Sequence, residues 1–202
     1  MGNTAWGKQV VEKALLYAEH EWRPTEKNVM HGIDENGRHI ETPDVTWKGE
    51  TLDCGWWKPN EINKGVAYGW GNASSLEDFD RGIADGKPAG NVPEDTTLYG
   101  SWNSVGVDCS GLVTVCWGLP KKIAAKNVPD IADVVDISEI RQGDVLAIRS
   151  HVMIFKEFID AEKKYIRIID STRSTGKVSQ REFLVDDLIE QGYLVYRKRH
   201  RR

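Results

Sequence analysis

Between residues 8 and 20 the apolar positions recur at helical spacing, with Val10, Val11, Ala14, Leu15 and Ala18 on one stripe. Pro24 follows and should close that helix. Residues 25–64 lose the period. They are rich in Gly, Pro, Asp and Asn, which predicts loops and small strands. Ser74 and Ser75 then precede Leu76, Phe79 and Ile83. Ser74 with Glu77, or Ser75 with Asp78, fits a capping box on a short helix over about 75–84, ended by Gly86 and Pro88. Residues 87–107 read as loop. From Asp108 the pattern sharpens to an apolar helix over 109–119, followed by extended stretches at 144–148, 151–158, 165–170 and 193–196. A short helix over 184–191 lies between the last two. A helix followed by an antiparallel run of strands is an α+β arrangement. No internal repeat or low-complexity tract is present.

On a wheel of about 100° per residue, Leu112, Val113, Val115, Cys116 and Leu119 share one broad face of the 109–119 helix. Cys109 falls on that face at the first turn, so its thiol points toward whatever the helix packs on. A helix N-terminus also favours thiolate. Cys116, two turns further along, reads as a small core hydrophobe. In the 151–158 stretch one strand face carries His151, Met153 and Phe155, and in the 165–170 stretch one face carries Ile166, Ile168 and Asp170. A hairpin turning near Asp160–Ala161 would pair His151 with Asp170, Met153 with Ile168 and Phe155 with Ile166. That register puts the imidazole and the carboxylate about 5 Å apart at Cβ. The opposite face, with Val152, Ile154, Ile169, Lys156 and Arg167, reads as mixed and less buried.

Singly, each of these residues has an ordinary structural reading. A cysteine on an apolar face is usually core, a histidine at a strand start is usually structural, and an aspartate at a strand end usually forms a turn. Jointly, if the helix packs on the hairpin, Cys109, His151 and Asp170 form a nucleophile, a base and an orienting carboxylate.

Composition narrows the reading further. The chain has 202 residues, which suits one domain or a domain with an appended lobe. Its net charge of −4 gives no overall basic field, which argues against nucleic-acid binding as the main activity. Three cysteines, Cys54, Cys109 and Cys116, cannot close a full disulfide set, and no CxxC pair marks a zinc site. Eight tryptophans are unusual for this length. Four of them (Trp22, Trp47, Trp56 and Trp57) fall within residues 21–58. They read first as core and loop packing, and second as a groove wall for a polar, partly apolar ligand. No apolar run approaches the ~18 residues of a membrane span, and residues 1–8 show no signal-peptide core. The basic stretch 197–202 reads as the solvated end of a last strand, with contact to an anionic polymer or membrane surface as the alternative.

The run Asp108-Cys109-Ser110-Gly111-Leu112-Val113, then Gly143-Asp144-Val145 and Ser150-His151-Val152, resembles the NlpC/P60 cysteine peptidases. Their motifs are D-C-S-G-hydrophobic, P/Q-G-D-hydrophobic and H-V-G-I-Y. Upstream, Gly65-Val-Ala-Tyr68-Gly-Trp-Gly71 is similar to the family's G-x-P-Y-x-W-G-G. Ile169-Asp170-Ser171 lies where the family has its third polar residue, and residues 174–178 look like the turn after it. Together these motifs cover about residues 62–197. The chain departs from the pattern at Ala67, Asn72 and Met153, in having Asp rather than the commoner His at 170, and in a long gap between Tyr68 and Cys109.

The resemblance implies a papain-like α+β fold with the cysteine at the N-terminus of a helix packed on an antiparallel sheet. It implies a catalytic domain over 62–202 with an insertion at about 72–104. Residues 1–61 match no part of the family pattern and read as a helical, Trp-rich extension packed on the core. The implied activity is hydrolysis of peptidoglycan stem peptides, most often at the γ-D-glutamyl–diamino acid bond, without metal or organic cofactor. Cys109 would be the nucleophile, His151 the base and Asp170 the orienting residue. The Tyr68 hydroxyl and the Cys109 N–H would lie near the developing oxyanion, and Asp108, Ser110 and Ser150 would line the substrate pocket, Asp108 facing a free amine. The place of action would be outside the cell or in its envelope, with cytoplasmic recycling of released peptides as the alternative. Two other functions fit the same residues: a thiol hydrolase or acyltransferase acting on a non-peptidoglycan amide or ester, and a catalytically silent binding module.

Overall fold

A computed structural model describes residues 4–50, 55–93 and 100–199. Cys54 and residues 200–202 lie outside the described residues. Helix α1 (Ala5–Glu19) starts at an N-cap, Thr4, whose hydroxyl accepts the Gly7 amide at 3.0 Å. It buries Val10, Val11, Ala14, Tyr17 and Ala18, close to the stripe read from the sequence. Next come β1 (Glu21–Trp22), β2 (His31–Ile33), β3 (His39–Glu41) and β4 (Asn63–Lys64), which form two small two-stranded ladders, β1–β4 and β2–β3. Helix α2 (Leu76–Ala84) carries the expected cap. The Ser75 hydroxyl accepts the Asp78 amide (3.0 Å) and donates to the Asp78 carboxylate (2.7 Å).

Most of the described tryptophans are packing residues. Trp57 is fully buried, and Trp22 meets Trp56, Trp57 and Phe79 at ring-centroid distances of 5.9, 5.6 and 5.1 Å. The Trp-rich segment is thus locked onto α2. Trp117 packs against Trp6 and donates to the Gly143 carbonyl at 2.9 Å. Trp102 is the exception at 79% exposed, with the Arg38 guanidinium 4.1 Å from its ring.

Helix α3 (Cys109–Cys116) is buried nearly all round rather than on one face, as Ser110, Gly111 and Thr114 are also buried. After it come α4 (Val128–Ile131), β5 (Ala132–Val135), β6 (Val145–Ile148), β7 (His151–Phe158), β8 (Tyr165–Thr172), β9 (Lys177–Leu184), α5 (Val185–Glu190) and β10 (Leu194–Lys198). The six strands β5 to β10 form one antiparallel sheet in the order β5-β10-β6-β7-β8-β9, so the class is α+β, with helices packed on the sheet. No described helix is long and apolar enough to cross a membrane.

Both faces of the sheet are buried, which corrects the mixed, less buried surface expected for one of them. Val152, Ile154 and Ile169 are fully buried in the cluster that holds α1 and α3. Leu146, Met153, Phe155, Ile166 and Ile168 form a second cluster with Val185 and Leu188 of α5. At about 25 cal/mol per Å² of apolar surface, each fully buried Ile or Val contributes about 1.5–3 kcal/mol.

The β7–β8 register also differs from the expected one. Phe155 pairs with Ile168 and Ile154 with Ile169, while Glu157 pairs with Arg167 and Phe158 with Ile166. The chain turns later than Asp160–Ala161 because the Asp160 carboxylate accepts the amides of Lys164 (3.0 Å) and Tyr165 (2.7 Å), with Lys163 at φ +58°. A β-bulge between Phe155 and Glu157 then absorbs one residue. The net displacement from the expected register is two residues, which preserves the phase of the side chains. His151 and Asp170 therefore still share a side of the sheet.

Candidate functional site

Helix α3 begins where a strip of chain running from Gly65 to Asn72 crosses it. The Asn72 carbonyl accepts the Asp108 amide at 3.1 Å. Gly111 permits this approach, since a Cβ there would stand 2.0 Å from the same carbonyl oxygen. Val107 bridges Tyr68, and the Ser171 hydroxyl at the end of β8 donates to the Val107 carbonyl at 2.7 Å. These contacts bring three distant segments to the first turn of α3: the Tyr68 strip, the start of β7 and the end of β8.

Cys109 is N1 of α3 and about 9% exposed. His151, the first residue of β7, lies near enough that the Cys109 sulfur helps to raise its pKa. The His151 Nε2 is 2.7 Å from Asp170 Oδ2, so Nδ1 is the nitrogen left for the thiol. The structure brings these three residues together, though by a register other than the expected His151–Asp170 pairing. By alternation His151 and Asp170 lie on the side of Met153 and Ile168, whereas Cys109 packs with the other cluster. They meet at the end of the strands, where His151 opens β7.

Asp170 has no exposed surface and holds two cations. Arg181 on β9 donates from Nε to Oδ1 (3.0 Å) and from Nη2 to Oδ2 (2.5 Å), a bidentate clamp. Burial pushes the Asp170 carboxyl up, but the bonds from His151 and Arg181 outweigh it and hold the group below the usual carboxylate range. Burial likewise works against a charged His151, yet the Asp170 hydrogen bond and the Cys109 sulfur raise it to about 9. The histidine is therefore an imidazolium at neutral pH.

Tyr68 is buried beside this group. Burial, then the charges of Asp108 and Cys109, push its phenol well above its ordinary value, so it remains a neutral donor. Asp108 is a satisfied N-cap. Its Oδ1 accepts the Gly111 amide (2.6 Å) and the Ser110 hydroxyl (3.0 Å), and its Oδ2 accepts the Gly71 amide (2.9 Å) and the Lys122 ammonium (3.0 Å). The amine facing Asp108 is thus the chain's own Lys122, which also donates to Ser110 (3.2 Å). Ser150 is exposed in the tight β6–β7 turn.

Three residues near the site escaped the sequence reading. Arg181 lies on β9, an unrecognised strand. The Tyr193 phenol, raised by burial and by Asp170, also feels Arg181 and Cys109. Arg173 sits in the β8–β9 turn and feels Tyr68. A polar cleft of about 430 Å³, bounded in part by Asn72, Trp102, Ser104 and Lys122, opens on the insertion side. Among the described residues no cluster of His, Cys, Asp and Glu could hold a metal ion. In the basic C-terminal stretch, Arg197 clamps Asp144 (3.0 and 2.8 Å), Lys198 donates to the Trp117 carbonyl (2.6 Å) and Arg199 pairs with Asp133 (2.7 Å).

Comparison with known proteins gives no match to a family model and no match to a curated protein.

Proposed function

We propose that the chain is a cysteine peptidase or amidase of papain-like, NlpC/P60-type architecture that cleaves amide bonds in peptidoglycan stem peptides, at the γ-D-glutamyl–diamino acid linkage. The observation that carries this reading is the grouping of Cys109 with His151 and a buried Asp170 whose carboxylate is 2.7 Å from the imidazole. The sequence motifs around Tyr68, Cys109 and His151 supply the substrate class.

In this reading the Cys109 sulfur, with its proton held on His151, attacks the amide carbon. The carbonyl oxygen takes up the negative charge and is met by the Tyr68 hydroxyl and the Cys109 amide, which has no intrahelical partner at N1. His151 passes its proton to the leaving amine nitrogen, the C–N bond breaks and a thioester remains. Water then attacks the thioester, giving a proton back to His151; the C–S bond breaks, the thiolate leaves beside the imidazolium as at the start, and the acid formed loses its proton to solvent as a free carboxylate. Asp170 keeps the imidazole in one tautomer and orientation throughout. Such a substrate places the site of action at the cell envelope or on released wall peptides.

The test is product analysis of defined muropeptides incubated with the protein and with Cys109→Ala. Cleavage of the γ-D-glutamyl–diamino acid bond by the first and not the second is expected. Intact stem peptides in both would refute the reading.

A further inference from the structure

Among the described residues, the charges around Cys109 balance with one exception. Asp108 is matched by Lys122, and Asp170 by Arg181 and His151. Arg173 has no carboxylate partner among the described residues. Its guanidinium offers five N–H donors, of which one is used, from Nη2 to the Pro93 carbonyl. Its Nε is buried with no partner at all. A half-buried cation left this way is costly unless something completes it.

The position of Arg173 is fixed by its own turn. Two residues before it, the Ser171 hydroxyl is bonded to the Val107 carbonyl, two residues ahead of Cys109. Three residues after it, the Gly176 carbonyl accepts the Tyr68 amide (2.8 Å) and the Trp56 indole N–H (2.9 Å). These bonds hold the turn that carries Arg173 against the segments of Tyr68 and Cys109. Its charge acts on the Tyr68 phenol against those of Asp108 and Cys109.

We infer that Arg173 is a carboxylate-binding residue, and that the substrate carries a free carboxylate close to the bond that is cut. A guanidinium takes a planar carboxylate in a two-point fork, which a lysine or an amide cannot reproduce. This inference rests on the proposed hydrolysis of stem amides and adds a requirement: a γ-glutamyl unit whose α-carboxylate is free rather than amidated.

The experiment compares two γ-D-glutamyl–diamino acid peptides that differ only in an α-carboxylate or an α-carboxamide. The wild-type protein should favour the carboxylate by about tenfold or more in kcat/KM. Arg173→Gln should lose that preference while still cutting the carboxamide peptide, and Arg173→Lys should retain part of it. A wild-type protein that cuts both peptides equally, or an Arg173→Gln protein that keeps the preference, overturns the inference and leaves the hydrolase reading intact. The same two peptides are titrated by calorimetry into Cys109→Ser, which separates binding from turnover. If the wild type cuts neither peptide, the hydrolase reading fails. Tighter binding of the carboxylate form then still supports the role of Arg173, and equal or absent binding overturns it.

Discussion

Replacing Asp170 by Asn keeps the shape of the side chain and removes the charge that holds His151. In the native protein the imidazole titrates at about 9 against an ordinary 6.5, although burial alone would lower it. The raised value fixes the sign of the linkage. The stability it contributes is fully present below the unfolded value of 6.5 and is lost as pH rises through about 9. Depression of the Asp170 carboxyl reports the same interaction from the other side: present above the unfolded value of 3.8, it is lost as pH falls through the lower folded value. Counted once, the His151 shift corresponds to a ceiling of about 3 kcal/mol, part of which belongs to Cys109. In Asp170→Asn, His151 should titrate at or below 6.5. At pH 8 its protonated fraction then drops from about 0.9 to about 0.03, and turnover falls by roughly thirtyfold from this cause alone. The protein should also lose about 3 kcal/mol or more of stability, because Arg181 loses its buried partner. Heteronuclear NMR titration of the His151 ring in both proteins reads the effect directly. A native midpoint near 6.5, or equal midpoints in the two proteins, would refute the reasoning.

Other perturbations follow from the same geometry. Arg181→Met should concentrate the charge of Asp170 on His151 and move its NMR midpoint above the native one, with about 1–3 kcal/mol of stability lost in urea denaturation; an unchanged midpoint would mean that the clamp does not tune the pair. Deleting Lys156 removes the extra residue of the bulge while Phe155 still faces Ile168 and Glu157 still faces Arg167, so His151 and Asp170 keep their phase and the His151 NMR midpoint should stay at its native value. A midpoint that falls toward 6.5 would contradict the register account. Ser75→Ala removes the α2 cap and should cost about 1 kcal/mol, seen as a lower urea midpoint, without moving the His151 titration.

What was legible in the chain was its interior. The central strands β6, β7 and β8, the helices α1, α2 and α3, and the capping box at Ser75 all follow from apolar spacing that the core enforces. The two strands that went unread, β5 and β9, are the edges of the sheet. β9 reads Lys-Val-Ser-Gln-Arg-Glu-Phe-Leu, in which only Val178 is fully buried, so no alternation marks it. Arg181 was missed with that strand, since a charged residue in an apparent loop carries no signal. The meeting of His151 and Asp170 was foreseeable because side-chain phase survives a two-residue error in register. The late turn was not, because it depends on the Asp160 side chain holding two amides.

The most direct test of the central claim is intact-protein mass spectrometry on samples quenched in acid during turnover of a γ-D-glutamyl–diamino acid peptide. The account predicts an acyl adduct with the mass of the N-terminal product fragment, mapped by digestion to Cys109 and absent from Cys109→Ala. Turnover that persists in Cys109→Ala, or an adduct on another residue, would contradict it.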